Sequence, residues 1–247
     1  MRFLRVIGAF RNWPLHYLNR LGLLSGSRAE LVTRDGVRLR VRTYTSDFRT
    51  SRSVMADRSY FFGGVELPPD ATVIDAGAHI GSFAVLAASR APQGRVLAFE
   101  PEAANFEMLQ QNIALNGFSR VSAFNVAVAG AEGERTLHYS VKPTTTGGHS
   151  LIRTGERSTT VRCITLDRIV ADNALTRIDF LKLDCEGAEL EFLAAASPAS
   201  LALLRRGAVE IHSDENRTGV ARILEAAGCR LFSGPKSNYL YFIRSGA

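Results

Sequence analysis

Apolar residues recur along this chain with two different periods. Near the N-terminus Phe3, Ile7, Phe10, Tyr17, Leu18 and Leu21 fall on one helical face, with Arg5, Asn12, His16 and Arg20 opposite. Pro14 interrupts this run, and Asn12 is placed to cap a second helix that starts there. The pattern predicts two short amphipathic helices, either docked on the domain or lying on a membrane surface, with docking the expectation. Glu30–Thr33 and Val37–Arg42 then alternate polar and apolar around Asp35-Gly36, which predicts a hairpin.

From Thr72 the pattern becomes strand–helix repeats. Strands are predicted at 72–75, 95–99, 121–126, 178–184 and 208–212. Helices are predicted near 80–90, at 102–115 before Asn116-Gly117, from about 188, and before Gly228. Residues 130–165 break the rhythm: Arg135–Ser140 and Thr159–Thr165 alternate as strands, and the polar stretch Lys142–Ser150 between them reads as a mobile loop over a site. Arg230–Ser233 and Tyr239–Ile243 form a closing antiparallel hairpin. The fold class is therefore α/β, a mostly parallel sheet of right-handed βα units with helices on both faces and ligands expected at the carboxyl ends of its strands. Residues 1–60 are expected to pack on a main domain at 61–247, with the hairpin and loop at about 130–165 as an insertion. Neither an internal repeat nor a low-complexity tract is present.

At 247 residues the chain can bury roughly 70–75% of its unfolded surface in one core. Hydrophobic residues make up 46% and charged residues 22%, an ordinary globular balance. Cys163, Cys185 and Cys229 are widely spaced with no C-x-x-C pair, which predicts buried, reduced thiols in a cytoplasmic protein. No run approaches 18 apolar residues, and no small-residue cleavage site follows an apolar core, so neither a membrane span nor a signal peptide is expected. Charge is uneven: residues 1–60 hold twelve arginines against four acids, and the rest is nearly neutral. That basic excess is expected to be a solvated face. Peripheral contact of residues 1–24 with the inner face of a membrane stays open, and no nucleic-acid partner is expected.

The densest candidate chemistry runs from Val73 to Phe83 and is answered by Val96–Pro101. An apolar strand leads into Asp75-x-Gly77-x-x-x-Gly81, and the next strand ends on Glu100. Gly77 and Gly81 would let the backbone pass close to a ligand, and the amides opening the following helix would face it. Glu100 is placed to take both hydroxyls of a ribose. A dinucleotide fingerprint requires glycines that positions 79 and 82 lack, and Asp75 would repel a pyrophosphate. The same carboxylate suits the ammonium group of S-adenosylmethionine, directly or through water. NAD is the alternative. His79 either contacts the cofactor or caps its helix. Asn125, with the amides of Val126 and Ala127, either meets the adenine edge or caps a turn, and Phe99 and Pro101 are candidates to flank the adenine.

Asp184 and Glu186 bracket the end of the fourth parallel strand, and His212 ends the fifth. Any of the three can take a proton from an attacking hydroxyl, or together they can hold Mg²⁺ or Mn²⁺. The plainer alternatives are a helix-capping Glu186 and a hydrogen-bonded His212. His149 is a candidate substrate contact and Cys185 a packing residue. No Asn/Asp-Pro-Pro-aromatic motif follows the fourth strand, which argues against methylation of adenine or glutamine nitrogens. A nucleophile elbow, a P-loop and zinc spacing are likewise missing, and no cysteine arrangement supports a covalent thiolate route to a pyrimidine carbon.

Three blocks together resemble the FkbM family of S-adenosylmethionine-dependent methyltransferases over about residues 30–243. They are Val73–Phe83 with Phe99-Glu100-Pro101 and Asn112-x-x-x-Asn116; Thr165-Leu166-Asp167 with Phe180-Leu181-Lys182-Leu183-Asp184-Cys185-Glu186-Gly187-Ala188-Glu189; and Val209-Glu210-Ile211-His212. The resemblance implies a Rossmann-like class I methyltransferase fold with a seven-stranded sheet. It also implies O-methylation of a hydroxyl on a small molecule, carbohydrate or glycolipid. By position, Asp75, Gly77, Gly81, Glu100 and Asn125 would bind cofactor, with Asp184, Glu186 and His212 near the methyl group. His79 stands where the family turn carries asparagine, and the first thirty residues lie outside the resemblance. An oxidoreductase using NAD, or a cofactor-binding protein without turnover, is the rival reading.

Overall fold

Two helices, α1 (Arg2–Ala9) and α2 (Pro14–Arg20), precede an antiparallel hairpin of β1 (Arg28–Val32) and β2 (Arg38–Arg42), with Leu31 opposite Leu39. The computed structural model describes residues 2–62, 65–139, 144–152, 157–234 and 238–244. Asn12 does not cap α2. Its carboxamide lies along the edge of β1, donating to the Glu30 carbonyl at 2.7 Å and accepting from the Val32 amide at 2.9 Å. The buried face of α1 also differs from the expected stripe. Val6 and Phe10 are buried while Phe3 points outward, and His16 packs its ring between Phe10 and Phe48.

Helix α3 (Asp47–Met55) has no counterpart in the apolar pattern because Asp47 and Ser51 occupy its buried face beside Phe48, Val54 and Met55. The repeats follow as β3 (Thr72–Ala76), α4 (Ser82–Arg90), β4 (Arg95–Phe99), α5 (Ala103–Asn116) and β5 (Val121–Phe124). The expected third parallel strand stops at Phe124, and β6 (Ala127–Val128) begins a separate small sheet with β7 (Gly133–Tyr139) and β8 (Arg157–Ile164). The expected loop over a site is described from Thr144 to Ser150; Lys142 and Pro143 lie outside the described residues. Next come α6 (Leu166–Asp172), β9 (Phe180–Leu183), α7 (Glu189–Ala194), α8 (Pro198–Ala202), β10 (Arg206–Glu210), α9 (Asp214–Ala226), β11 (Cys229–Ser233) and β12 (Tyr239–Arg244).

The central sheet has seven strands in the order β11-β12-β10-β9-β3-β4-β5. The five from β10 to β5 are parallel, and β12 runs antiparallel to both of its neighbours. Alternate side chains enter opposite cores, as a two-sided sheet requires. Val73, Val96 and Ala98 pack with α4, α5 and the N-terminal elements, while Ile74, Leu97 and Phe99 pack with α6, α7 and α9. Phe99 is thus core, stacked on Phe124 at 4.9 Å, and does not flank a ligand.

The hairpin is fastened to this sheet by Asn112 and Asn116 on α5. Asn112 accepts from the Arg40 amide at 2.6 Å and donates to its carbonyl at 3.0 Å; Asn116 does the same for Arg38 at 2.8 and 2.7 Å. One helical i,i+4 step is about 6 Å and two strand residues span about 6.8 Å, so two carboxamides on α5 match alternate residues of the free β2 edge. The chain grows outward from β3 in one direction and returns through β9 in the other. A ligand crevice is expected above that reversal.

Candidate active site

A cavity of about 540 Å³ opens at this reversal. Gly77, His79, Glu100 and Pro101 border it from the first two βα turns, and Asp184, Cys185, Glu186 and Glu210 from the ends of β9 and β10. Helix α3 and Tyr60 supply another wall, and Thr145, Gly147, Gly148, His149 and Leu151 of the 144–152 segment a further one.

The two glycines of the first turn are required by protein packing. A Cβ on Gly77 would lie 1.9 Å from the Asp184 carbonyl oxygen, and one on Gly81 would lie 2.6 Å from a Leu109 methyl; both residues also have positive φ. The turn's amides are likewise already engaged. Those of Gly77 and Ala78 donate to the Phe99 carbonyl at 3.0 and 2.8 Å, and that of His79 to Glu100 Oε2 at 2.8 Å. Glu100 Oε1 accepts from the Glu102 amide at 2.9 Å. Burial outweighs these hydrogen bonds and lifts the Glu100 carboxyl to about 7.

Asp75 does not reach the cavity wall. It is fully buried beneath it, with Lys182 Nζ 3.1 Å from Oδ1. Lys182 also donates to the carbonyls of Ala76 and Gly77 and lies 3.8 Å from Asp184 Oδ2. Burial pushes Asp75 above the usual carboxylate range despite Lys182; burial alone would lower Lys182, but Asp75 and Asp184 hold it above its ordinary value. Asn125 is exposed outside the cavity and donates to the carbonyls of Glu100 and Pro101 at 2.9 and 3.0 Å, with Val126 beside it.

His79 sits in the left-handed region, with φ of 53°, and does not cap α4; its Nε2 lies 3.1 Å from Thr146 Oγ1 and 3.4 Å from Asp47 Oδ1. Burial lowers it to about 4, so a neutral imidazole meets Asp47. Burial would raise Asp47, but the Arg42 guanidinium, at 2.9 and 3.1 Å, holds it below its ordinary value. Arg42 and Thr146 also share Asn105, which accepts from Arg42 at 2.6 Å and donates to the Thr146 carbonyl at 2.9 Å. This network clasps the 144–152 segment to α3 and α5. His149 stays within that segment, where its Nε2 donates to the Thr146 carbonyl at 2.8 Å.

The acidic end is built from four elements. Tyr60 donates to Asp184 Oδ2 at 2.9 Å and to Glu210 Oε2 at 3.3 Å; Tyr239 and Asn238 each donate to Glu210 at 2.8 Å. Burial and the nearby Asp184 raise Glu210 to about 7. His212 is surrounded by carboxylates, with Glu189 at 3.1 Å, Glu186 at 3.3 Å and Asp184 at 3.8 Å. Burial opposes its charge, but these carboxylates raise it to about 9. These carboxylates favour the charged imidazolium at neutral pH. For a cation, Asp184, Glu210 and His212 each offer one ligand atom, all within 4.8 Å of one another; Glu186 is not in that set among the described residues. Burial, and then Glu189, push the Cys185 thiol well up, which leaves it protonated.

The family model of the methyltransferase FkbM domain matches residues 75–231. The chain belongs to the FkbM methyltransferase family. The AMB antimetabolite synthetase AmbE of Pseudomonas aeruginosa is 30% identical over 207 residues, which cover 69% of this chain and 10% of that synthetase. The 31-O-demethyl-FK506 methyltransferase FkbM of Streptomyces tacrolimicus is 28% identical over 209 residues, covering 72% of this chain and 79% of that protein. The crystal structure of methyltransferase FkbM from Methylobacillus flagellatus KT shares the fold at a TM-score of 0.52 and 19% identity, over 73% of this chain and 45% of that one.

Within this FkbM domain, the stretch from Lys182 to Glu189 shapes the site more than it lines it. Glu186 and Gly187 have φ of 52° and 116°, and Glu189 secures that turn by accepting from the amides of Cys185 and Gly187 at 2.8 and 3.1 Å and from Asn216 at 2.7 Å. Glu210 is legible as a carboxylate ending a parallel strand, whereas residue patterns give Lys182, Glu189, Tyr60 and Asp47 no place in the site. Lys182 does carry a signal, because a lone lysine inside the apolar run Phe180–Leu183 needs a buried counter-charge. Tyr60 has no such signal.

Proposed function

We propose that this FkbM methyltransferase moves the methyl group of S-adenosylmethionine to a hydroxyl of a small-molecule, sugar or glycolipid acceptor. The observation that carries the reading is one continuous cavity with Glu100 bordering one part and Asp184 and Glu210 another. Its volume of about 540 Å³ falls within the roughly 300–1,000 Å³ common for small-molecule sites. Glu100 is a buried carboxylate at the end of a parallel strand, and its remaining lone pairs suit the vicinal hydroxyls of a ribose. Gly77 and His79 border the same region, while Asp75 lies buried against Lys182 and Asn125 holds the Glu100 and Pro101 carbonyls.

S-adenosylmethionine supplies an electrophilic methyl group when bound. Asp184 takes the proton of the attacking hydroxyl on Oδ1, since Oδ2 already accepts from Tyr60. His212, as an imidazolium, positions Asp184 and Glu186 and balances their charge. Transfer to an unactivated hydroxyl demands alignment first, and a site walled by α3 and the 144–152 segment can hold two reactants together. The relative from Streptomyces tacrolimicus, whose name specifies an O-demethyl substrate, supports oxygen as the methyl acceptor. Lys182 and His212 offset part of the carboxylate charge here, and no metal is assigned to the step.

The test is transfer of a radiolabelled methyl group from S-adenosylmethionine across a panel of glycans, glycolipids and hydroxylated small molecules. Label recovered as a base-stable ether supports the reading. Label on nitrogen, or no product across the panel from protein that binds cofactor, overturns it.

A further inference from the structure

We propose that the outer face of α1 and α2 docks on an anionic lipid bilayer. Val6 and Phe10 turn inward and are buried, so α1 is already anchored to the protein by its other side. On the outer side Phe3 is 50% exposed, Leu4 69%, Leu21 68% and Leu23 65%. These are four of the six large apolar side chains exposed among the described residues, gathered within the first 23 positions. An aromatic cluster lies among them. The Phe3 ring lies 5.1 Å from Tyr17 and 5.8 Å from Trp13, which lies 5.9 Å from Tyr17, and Leu21 follows Tyr17 by one helical turn.

Charge complementarity selects the occupant. Residues 1–29 contain five arginines and no acidic residue, and Arg11, Arg20 and Arg28 are exposed there. Exposed leucines beside amphipathic aromatics and arginines suit the interface of an anionic bilayer, where apolar side chains enter the acyl boundary and guanidinium groups meet lipid phosphates. A nucleic acid would satisfy the arginines but leave the leucines in water. With eight residues α1 is about 12 Å long, so it lies in the interface and does not cross it.

Trp13 is the chain's one tryptophan, so its emission reports on this patch alone. The full chain is mixed with vesicles of phosphatidylcholine, or of phosphatidylcholine with 30% phosphatidylglycerol, and binding is read by flotation and by Trp13 emission. Binding to the anionic vesicles, at least tenfold weaker binding to the neutral ones, and a blue shift of Trp13 are expected. Joint replacement of Phe3, Leu4, Leu21 and Leu23 by Ser reduces binding at least tenfold, with the thermal midpoint retained as the check on folding. Arg20→Glu alone weakens it several-fold without touching the apolar contacts. Equal binding to both vesicles, no binding, or retention by the serine variant overturns the proposal. Tighter binding to duplex DNA, or a dimer that the serine variant abolishes without any vesicle binding, also overturns it by giving the face to another partner.

Discussion

Lys182 Nζ lies 3.1 Å from Asp75 Oδ1, with both side chains buried directly beneath the cavity floor. The pair fastens β3 to β9 and, through the Gly77 carbonyl, fixes the first βα turn. Removing one partner leaves an unpaired buried charge, which costs about 3–5 kcal/mol. Lys182→Met and Asp75→Asn should each destabilise the fold by that order, while the double variant costs clearly less than their sum. Denaturant melts in a double-mutant cycle check this; additive losses would show that the pair is not coupled.

Glu100 should make stability fall with pH. Its carboxyl is raised to about 7 in the fold from an ordinary 4.5, so its protonated form stabilises the native state. That contribution is complete below pH 4.5 and is lost as pH rises through 7, about 3 kcal/mol in all. Melts of wild type and Glu100→Gln from pH 4.5 to 8.5 should therefore converge or cross in favour of the variant at high pH. S-adenosylhomocysteine affinity should move the other way, rising as Glu100 ionises. A parallel pair of stability curves would contradict the buried carboxyl.

Asp184→Asn should keep S-adenosylhomocysteine affinity within a few-fold and lower methyl transfer by about 10²–10⁴-fold, the usual range for a lost general base. Undiminished turnover would remove Asp184 from the proton transfer. His212→Gln should act more weakly, because His212 is assigned to positioning Asp184 and Glu186.

Asn112→Ala deprives the Arg40 amide and carbonyl, and the Ile80 carbonyl, of their partner at once. Loss of a partner to buried backbone groups costs about 1–3 kcal/mol per group. A fall in the denaturant midpoint, with early hydrogen exchange at β2, is expected. Protection of β2 unchanged from wild type would show that the hairpin is held by other contacts.

The parallel core was legible because strands buried on both faces read as unbroken apolar runs, as in Val73–Ile74 and Phe180–Leu181. Helix α3 was not, since its buried face carries Asp47 and Ser51, whose partners lie in β2, the 144–152 segment and α4. The carboxylates at strand ends were readable by position, because topology sends those ends to one rim. Their partners were not. Tyr60 and Asp184 are 124 residues apart, and nothing local in either segment predicts their hydrogen bond. Asp75 was visible as a site residue, but only packing shows that it faces Lys182 and not the cavity.

Calorimetric titration of the purified chain with S-adenosylhomocysteine, and separately with NADH, tests the central assignment most directly. Micromolar binding of S-adenosylhomocysteine, lost in Glu100→Ala, with no heat from NADH, is the predicted result. Binding of NADH, or no binding of S-adenosylhomocysteine by folded protein, would contradict it.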